Sequence, residues 1–112
     1  MRRITAYIRP HRTEDVKTAV ADLGVTGMTV SEVRGRGNSP ESGVAFGGQM
    51  ILSHMPPKAM ISVVVPDELE EAVIMSIIAH AKTGEPGDGK IFVEAVQDAI
   101  RIRTKERGES AV

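Results

Sequence analysis

Twice along this chain a run of alternating apolar residues gives way to a helix-period run and then to a second alternating one. That doubled rhythm is what most limits the fold. Residues 2–9 alternate, with Ile4, Ala6 and Ile8 on one face of a strand. Pro10 ends the run. Thr13 is expected as an N-cap, with Glu14 and Asp15 in the first turn. Val16, Ala19, Val20 and Leu23 then recur at helical spacing, and Gly24 stands where a glycine commonly follows a helix. Residues 28–33 read as the second strand and residues 58–65 as the third. Pro66 and Asp67 open a second helix, and Glu68, Glu70 and Glu71 suit the positive end of its dipole. Leu69, Ala72, Val73, Ser76, Ile77 and His80 are expected on its shared face. Gly84 stops that helix, and residues 90–96 read as the fourth strand. Residues 100–103 are expected as a further extended piece and residues 104–112 as a polar tail.

The order β-α-β-β-α-β is the split, ferredoxin-like arrangement of an α+β fold, in which two helices cover one face of an antiparallel sheet. The 112 residues fit one domain, residues 1–112, with a small core. Ile61, Val63 and Val65 alternate with Met60 and Val64, so the third strand is apolar on both faces. Burial on both sides, and hence an oligomer, is the expectation.

Between residues 35 and 57 the rhythm dissolves. Gly35, Gly37, Gly43, Gly47 and Gly48, with Pro40, Pro56 and Pro57, punctuate the stretch. A loop this long in a compact domain points to function. Residues 44–46 and 49–52 are apolar enough for a short strand, but a long mobile loop is the favoured reading.

Composition removes several classes of function. Without cysteine the chain has neither disulfides nor thiolate metal sites, and it suits a reducing cytoplasm. A formal net charge of −1 gives no global pull toward nucleic acid or an anionic membrane. Tyr7, Phe46 and Phe92 are its aromatic residues, too few for base stacking. No apolar run approaches the roughly 20 residues that span a bilayer. His11, His54 and His80 are scattered without metal-ligand spacing, and Ser53-His54 lies in the loop, where a nucleophile lacks rigid support.

The chemistry concentrates in Thr83-Gly84-Glu85-Pro86-Gly87-Asp88-Gly89-Lys90-Ile91-Phe92-Val93, followed by Arg101-Ile102-Arg103. Glycines let backbone N–H groups approach a phosphate closely, lysine supplies charge, and arginine forks hold phosphate oxygens in pairs. The spacing is not that of a Walker A loop. Taken alone, the turn serves equally well as a plain helix-to-strand connection. Arg101 and Arg103 would point the same way on an extended strand.

At this point the residues resemble a known family, the PII signal-transduction proteins, almost end to end. The likeness is carried by Thr83-x-x-x-Gly87-Asp88-Gly89-Lys90-Ile91-Phe92-Val93-x-x-Val96 and by Arg101-Ile102-Arg103-Thr104. It is carried further by Gly24-Val25-Thr26-Gly27-Met28-Thr29-Val30, Glu32-Val33 and Val63-Val64-Val65-Pro66-Asp67. The resemblance implies a homotrimer with nucleotide clefts between subunits and a long T-loop, about residues 37–57, that docks on target proteins. It places Gly27, Met28 and Thr29 around adenine, with Val64 lending backbone. It places Gly35 and Gly37 beside the phosphates, Gly87, Asp88, Gly89 and Lys90 around ribose and phosphates, and Arg101 and Arg103 on the phosphates from the adjacent subunit.

The chain departs from that pattern at informative positions. Asn38 stands where an arginine helps hold the terminal phosphates, and Ser39 where a glutamine helps bind magnesium and 2-oxoglutarate. Ile51 replaces the tyrosine that some members modify, Glu85 a lysine, and Ser62 a glutamate near adenine, whereas Lys58, linked to the 2-oxoglutarate carboxylate, is present. The expectation is a non-enzymatic cytoplasmic sensor in nitrogen regulation. ATP, ADP or AMP, with magnesium, would set the T-loop toward a membrane transporter or a metabolic enzyme. Ser39 and Lys58 are the candidate effector-binding residues, with the choice between 2-oxoglutarate and a small anion such as bicarbonate left open, and no prosthetic group is expected. The rival is a small ferredoxin-like phosphohydrolase acting on nucleotides through the same cradle, with Asp88 as its one nearby carboxylate.

Overall fold

A computed structural model of the chain describes residues 1–37, 44–46, 49–51 and 55–112, with backbone alone at 44–46 and 49–51. The elements are β1 (Arg2–Ile8), α1 (Thr13–Ala21), β2 (Thr29–Arg34), β3 (Val44–Phe46), β4 (Gln49–Ile51), β5 (Pro57–Val65), α2 (Glu70–Ala81) and β6 (Gly89–Ala95). The main sheet runs β2-β5-β1-β6, antiparallel throughout. With the β3–β4 pair set aside, this is the ferredoxin-like α+β fold. Register sets Ile4 between Val63 and Val93, and Ala6 between Ile61 and Ile91. These side chains share the face that both helices cover.

The core follows from that register. Ile4, Ala6 and Ile8 of β1 and Ala59, Ile61, Val63 and Val65 of β5 meet Val16 and Val20 of α1 and Val73, Ile77 and Ala81 of α2. The strict alternation of β5 buries its odd positions and half-buries Met60, Ser62 and Val64 on the face away from the helices. Burial there is partial within one protomer.

The structure corrects four local readings. Thr13 is the first residue of α1 rather than its cap: Pro10–Arg12 forms a 3-10 turn first, and the Thr13 hydroxyl donates to the Pro10 carbonyl at 2.7 Å. Proline's fixed φ starts a helical turn at once. On α2 the buried face is Val73, Ile77 and Ala81, with Leu69 and Ile74 packed beside it, while Ala72 and His80 are exposed. Periodicity placed Leu69, Val73 and Ile77 inward correctly, but the helix carries apolar residues on several sides, including exposed Met75 and Ile78, and the edges of its inward face were misplaced.

The third correction falls in the long central segment. There β3 and β4 pair as a short antiparallel ladder, Val44 with Ile51 and Phe46 with Gln49, where a loop was the favoured reading.

The fourth concerns the chain beyond β6. Ile100 bridges Arg107, the Arg101 N–H donates to the Glu106 carbonyl at 2.9 Å, and residues 102–104 form a turn. Gly108–Ala111 adds a 3-10 turn. The expected extended piece and polar tail are therefore a small folded hairpin. Its glue is polar: Asp98 Oδ1 accepts from the Ala99 and Gly108 N–H groups at 2.9 and 3.1 Å, and Arg107 Nε meets Asp98 Oδ2 at 3.1 Å. Such side-chain bonds to backbone leave no apolar rhythm to read.

Candidate functional site

The turn between α2 and β6 is shaped by one carboxylate. Asp88 Oδ2 accepts from the Thr83 N–H at 2.8 Å and the Gly84 N–H at 2.9 Å, and Oδ1 accepts from the Thr83 hydroxyl. From the far end of β1, Arg9 Nε donates to Asp88 Oδ1 at 3.2 Å, and Arg9 Nη2 donates to the Pro86 carbonyl at 2.6 Å. Partial burial alone would raise the Asp88 pKa. The hydrogen bonds from Thr83, Gly84 and Arg9 outweigh it and hold the carboxyl far below the usual range. Asp88 therefore organises the turn and stays ionised.

Gly89 shows why the turn needs its glycine. Its φ is +111°, and a Cβ built there would lie 1.7 Å from the Tyr7 carbonyl oxygen. The β6 backbone thus starts pressed against β1, where Gly89 pairs with Ile8 and Lys90 with Tyr7.

Beside this turn lies a groove of about 900 Å3. Its floor is the uncovered sheet face at the Tyr7, Val33, Lys58 and Phe92 end, and its walls are residues 34–37 and 85–90. Tyr7 and Phe92 meet edge to face, ring centroids 6.1 Å apart. Lys58 Nζ donates to the Gly87 carbonyl at 3.0 Å, tying β5 to the turn. The opposite wall is rooted by the Gly35 N–H on the Pro56 carbonyl at 3.2 Å and by Arg34 Nη1 on the Met55 carbonyl at 3.2 Å.

Of the residues singled out in the sequence, Gly35, Gly37, Lys58, Gly87, Asp88, Gly89 and Lys90 converge on this groove. Asn38 and Ser39 lie outside the described residues. Gly27, Met28, Thr29 and Val64 are elsewhere: Thr29 pairs with Ser62, two positions from Val64, toward the other end of β5. At about 3.3 Å per residue, Val64 is roughly 20 Å along the strand from Lys58. Met28 packs its side chain against the core, which leaves its backbone for any ligand. Arg101 and Arg103 sit on the C-terminal hairpin outside the groove, with Arg101 Nη1 3.6 Å from Glu106 Oε1. They do not share an extended strand.

Sequence reasoning passed over Arg9, Arg34 and Arg36. Arg34 and Arg36 flank Gly35, so the Arg-Gly-Arg-Gly run carried a signal for a basic wall. Arg9 carried none, because its partner is 79 positions away. Among the described residues no cluster of His, Asp or Glu is placed to hold a metal ion, and no helix is long and apolar enough to cross a membrane.

The class that these features define is a small ferredoxin-like α+β domain with a glycine-lined groove at one end of its open sheet face. The family model described as nitrogen regulatory protein P-II matches residues 1–106. Nitrogen regulatory protein P-II of Haemophilus influenzae is 45% identical over 112 residues, all of both chains. Nitrogen regulatory protein P-II 2 of Methanothermobacter thermautotrophicus is 44% identical over 112 residues, all of this chain and 97% of that one. Nitrogen regulatory protein P-II 1 of Escherichia coli K12 is 42% identical over 112 residues, all of both chains. The chain belongs to the PII family of nitrogen regulatory signalling proteins.

Proposed function

We propose that this PII-family chain is a nucleotide sensor that binds ATP, ADP or AMP in clefts between the subunits of a homotrimer. It works in the cytoplasm and regulates a membrane transporter or a metabolic enzyme through its T-loop. The observation that carries this reading is the convergence of Gly35, Gly37, Lys58 and Gly87–Lys90 on one groove, around a turn already locked by Asp88. Preset N–H groups and nearby cations receive phosphate without reorganising. The separation of Gly27–Thr29, Arg101 and Arg103 from that groove supports a cleft completed by a second subunit. The phosphohydrolase reading loses Asp88 as a base, because that carboxylate is committed to the turn; Glu85 also lines the groove, and the turnover assay decides between the readings.

Asn38 and Ser39 take away a charge-assisted phosphate contact and a magnesium ligand relative to the family pattern. ADP and AMP therefore compete with Mg-ATP better than in members with arginine and glutamine there. 2-Oxoglutarate adds little, despite Lys58. Light scattering, nucleotide titration and a turnover assay on one sample test this reading. Three times the chain mass, saturable adenine-nucleotide binding and no hydrolysis are expected. A monomer that binds nucleotide, or steady turnover of ATP, would overturn it.

A further inference from the structure

Six charged residues line the groove beside the turn that opens β6. Three of them are committed. Arg34 Nη1 donates to the Met55 carbonyl, Lys58 Nζ donates to the Gly87 carbonyl, and Asp88 accepts from Thr83, Gly84 and Arg9. Arg36, Glu85 and Lys90 are exposed, and among the described residues their side chains have no hydrogen-bond or ion-pair partner. Their backbones are held all the same. The Glu85 N–H donates to the Thr83 hydroxyl at 3.2 Å, and Lys90 pairs with Tyr7 in the sheet. Gly35, beside Arg36, donates its N–H to the Pro56 carbonyl. The groove thus offers two cations and one carboxylate from anchored backbone, with Arg36 on one wall and Glu85 and Lys90 on the other.

We propose that Arg36 and Glu85 set the phosphate preference of this groove: Arg36 closes on a phosphate from the wall opposite Lys90, and Glu85 repels that phosphate in proportion to its charge. The statement rests on the proposed nucleotide cleft and names the residues that decide among its ligands. Room for the closing side chain is present. A Cβ placed at Gly35 or at Gly37 meets nothing within 4 Å, so neither neighbour of Arg36 crowds the wall. A guanidinium offers two parallel N–H donors to phosphate oxygens. A phosphate held between Arg36 and Lys90 would tie the two walls together.

Glu85 works against that closure. Coulomb energy grows with the product of the charges, so one carboxylate penalises a triphosphate more than a monophosphate. The attraction from Arg36 grows in the same way with the opposite sign. Asp88 adds little to the repulsion, because the Arg9 guanidinium lies against it at 3.2 Å. Glu85 is the groove's other carboxylate and has no such cation beside it. The two side chains therefore pull the ratio of ATP to AMP affinity in opposite directions.

Titration of AMP, ADP and ATP into the parent and two variants tests this, with magnesium chelated so that the phosphates carry their full charge. Arg36→Gln should weaken ATP roughly tenfold and AMP by less, lowering the ratio of ATP to AMP affinity about fivefold. Glu85→Gln should strengthen ATP more than AMP and raise the same ratio about fivefold. Both residues are exposed, so both variants should melt near the parent's temperature. A ratio within about twofold of the parent's in either variant would overturn the proposal. The proposed function would still stand, provided that the parent binds the nucleotides. A parent chain that binds none of the three would overturn both.

Discussion

Arg9 and Asp88 stand 79 positions apart in the chain and 3.2 Å apart in space, Nε to Oδ1. The pair ties the end of β1 to the turn that opens β6. Arg9 also holds the Pro86 carbonyl, so one guanidinium fixes two points of the turn. Replacing Arg9 with Met should loosen the turn without touching a ligand. Both side chains keep roughly a quarter of their exposure, 22% and 24%. The loss in stability should therefore sit near the low end for a charge-assisted bond, about 1–1.5 kcal/mol. Urea unfolding checks this, and ADP affinity should fall with it.

Asp88 also gives the fold a defined acid limit. Its folded pKa is depressed, so its contribution is fully present above the unfolded carboxylate value of about 3.9. That contribution is lost as the pH falls below this value toward the folded pKa. Asp88→Asn should therefore cost stability at pH 7 and flatten the decline between about pH 4 and pH 2. Thermal unfolding across that range checks the sign.

Gly89 admits no side chain. Gly89→Ala meets the Tyr7 carbonyl and a φ of +111° together, at an expected cost of roughly 2–4 kcal/mol. Gly27→Ala meets nothing within 4 Å and should be neutral within about 0.5 kcal/mol. Paired denaturant melts of the two variants distinguish crowding from a general cost of losing glycine.

The inward face of α2 is open to the same kind of check. Ile77 is 1% exposed, so Ile77→Ala should cost about 2–5 kcal/mol. His80→Ala, on the exposed side, should stay within about 0.5 kcal/mol. A cost at His80 as large as that at Ile77 would restore the face that periodicity had suggested, which held both residues.

The strands and helices were legible where one physical period dominated. Ile4, Ala6 and Ile8 announced β1 because only one of its faces is dry. α2 announced itself as a helix with Leu69, Val73 and Ile77 inward, but the edges of that face were misplaced: Ala72 and His80 are exposed and Ala81 is buried, because apolar residues such as Met75 and Ile78 also stand on its other sides. The turn before β6 was legible through its glycines and Lys90, which are local. Its lock was not, because Arg9 reads locally as a strand end before a proline. The C-terminal hairpin was missed for a related reason: Asp98 and Thr104 build it from polar bonds, and Lys105 takes a φ of 63° that no apolar pattern foretells.

Arg103 tests whether the cleft is shared. Arg103→Ala should leave the fold intact, since the residue lies on an exposed turn. It should weaken ADP by about 1.5–3 kcal/mol if the arginine reaches a neighbour's phosphates. Unchanged affinity in a trimer would confine the cleft to groups of a single protomer.

The central claim is that phosphate sits against Gly87–Lys90. Isothermal titration of ADP into the wild-type protein and into Lys90→Ala tests it most directly. Lys90 is exposed and its side chain is outside the core, so the variant should unfold at nearly the same temperature as the parent. Loss of one charge-assisted contact, about 1.5–3 kcal/mol, predicts affinity lower by roughly 10- to 150-fold. Equal affinity in the two proteins would contradict the account and put the phosphates elsewhere.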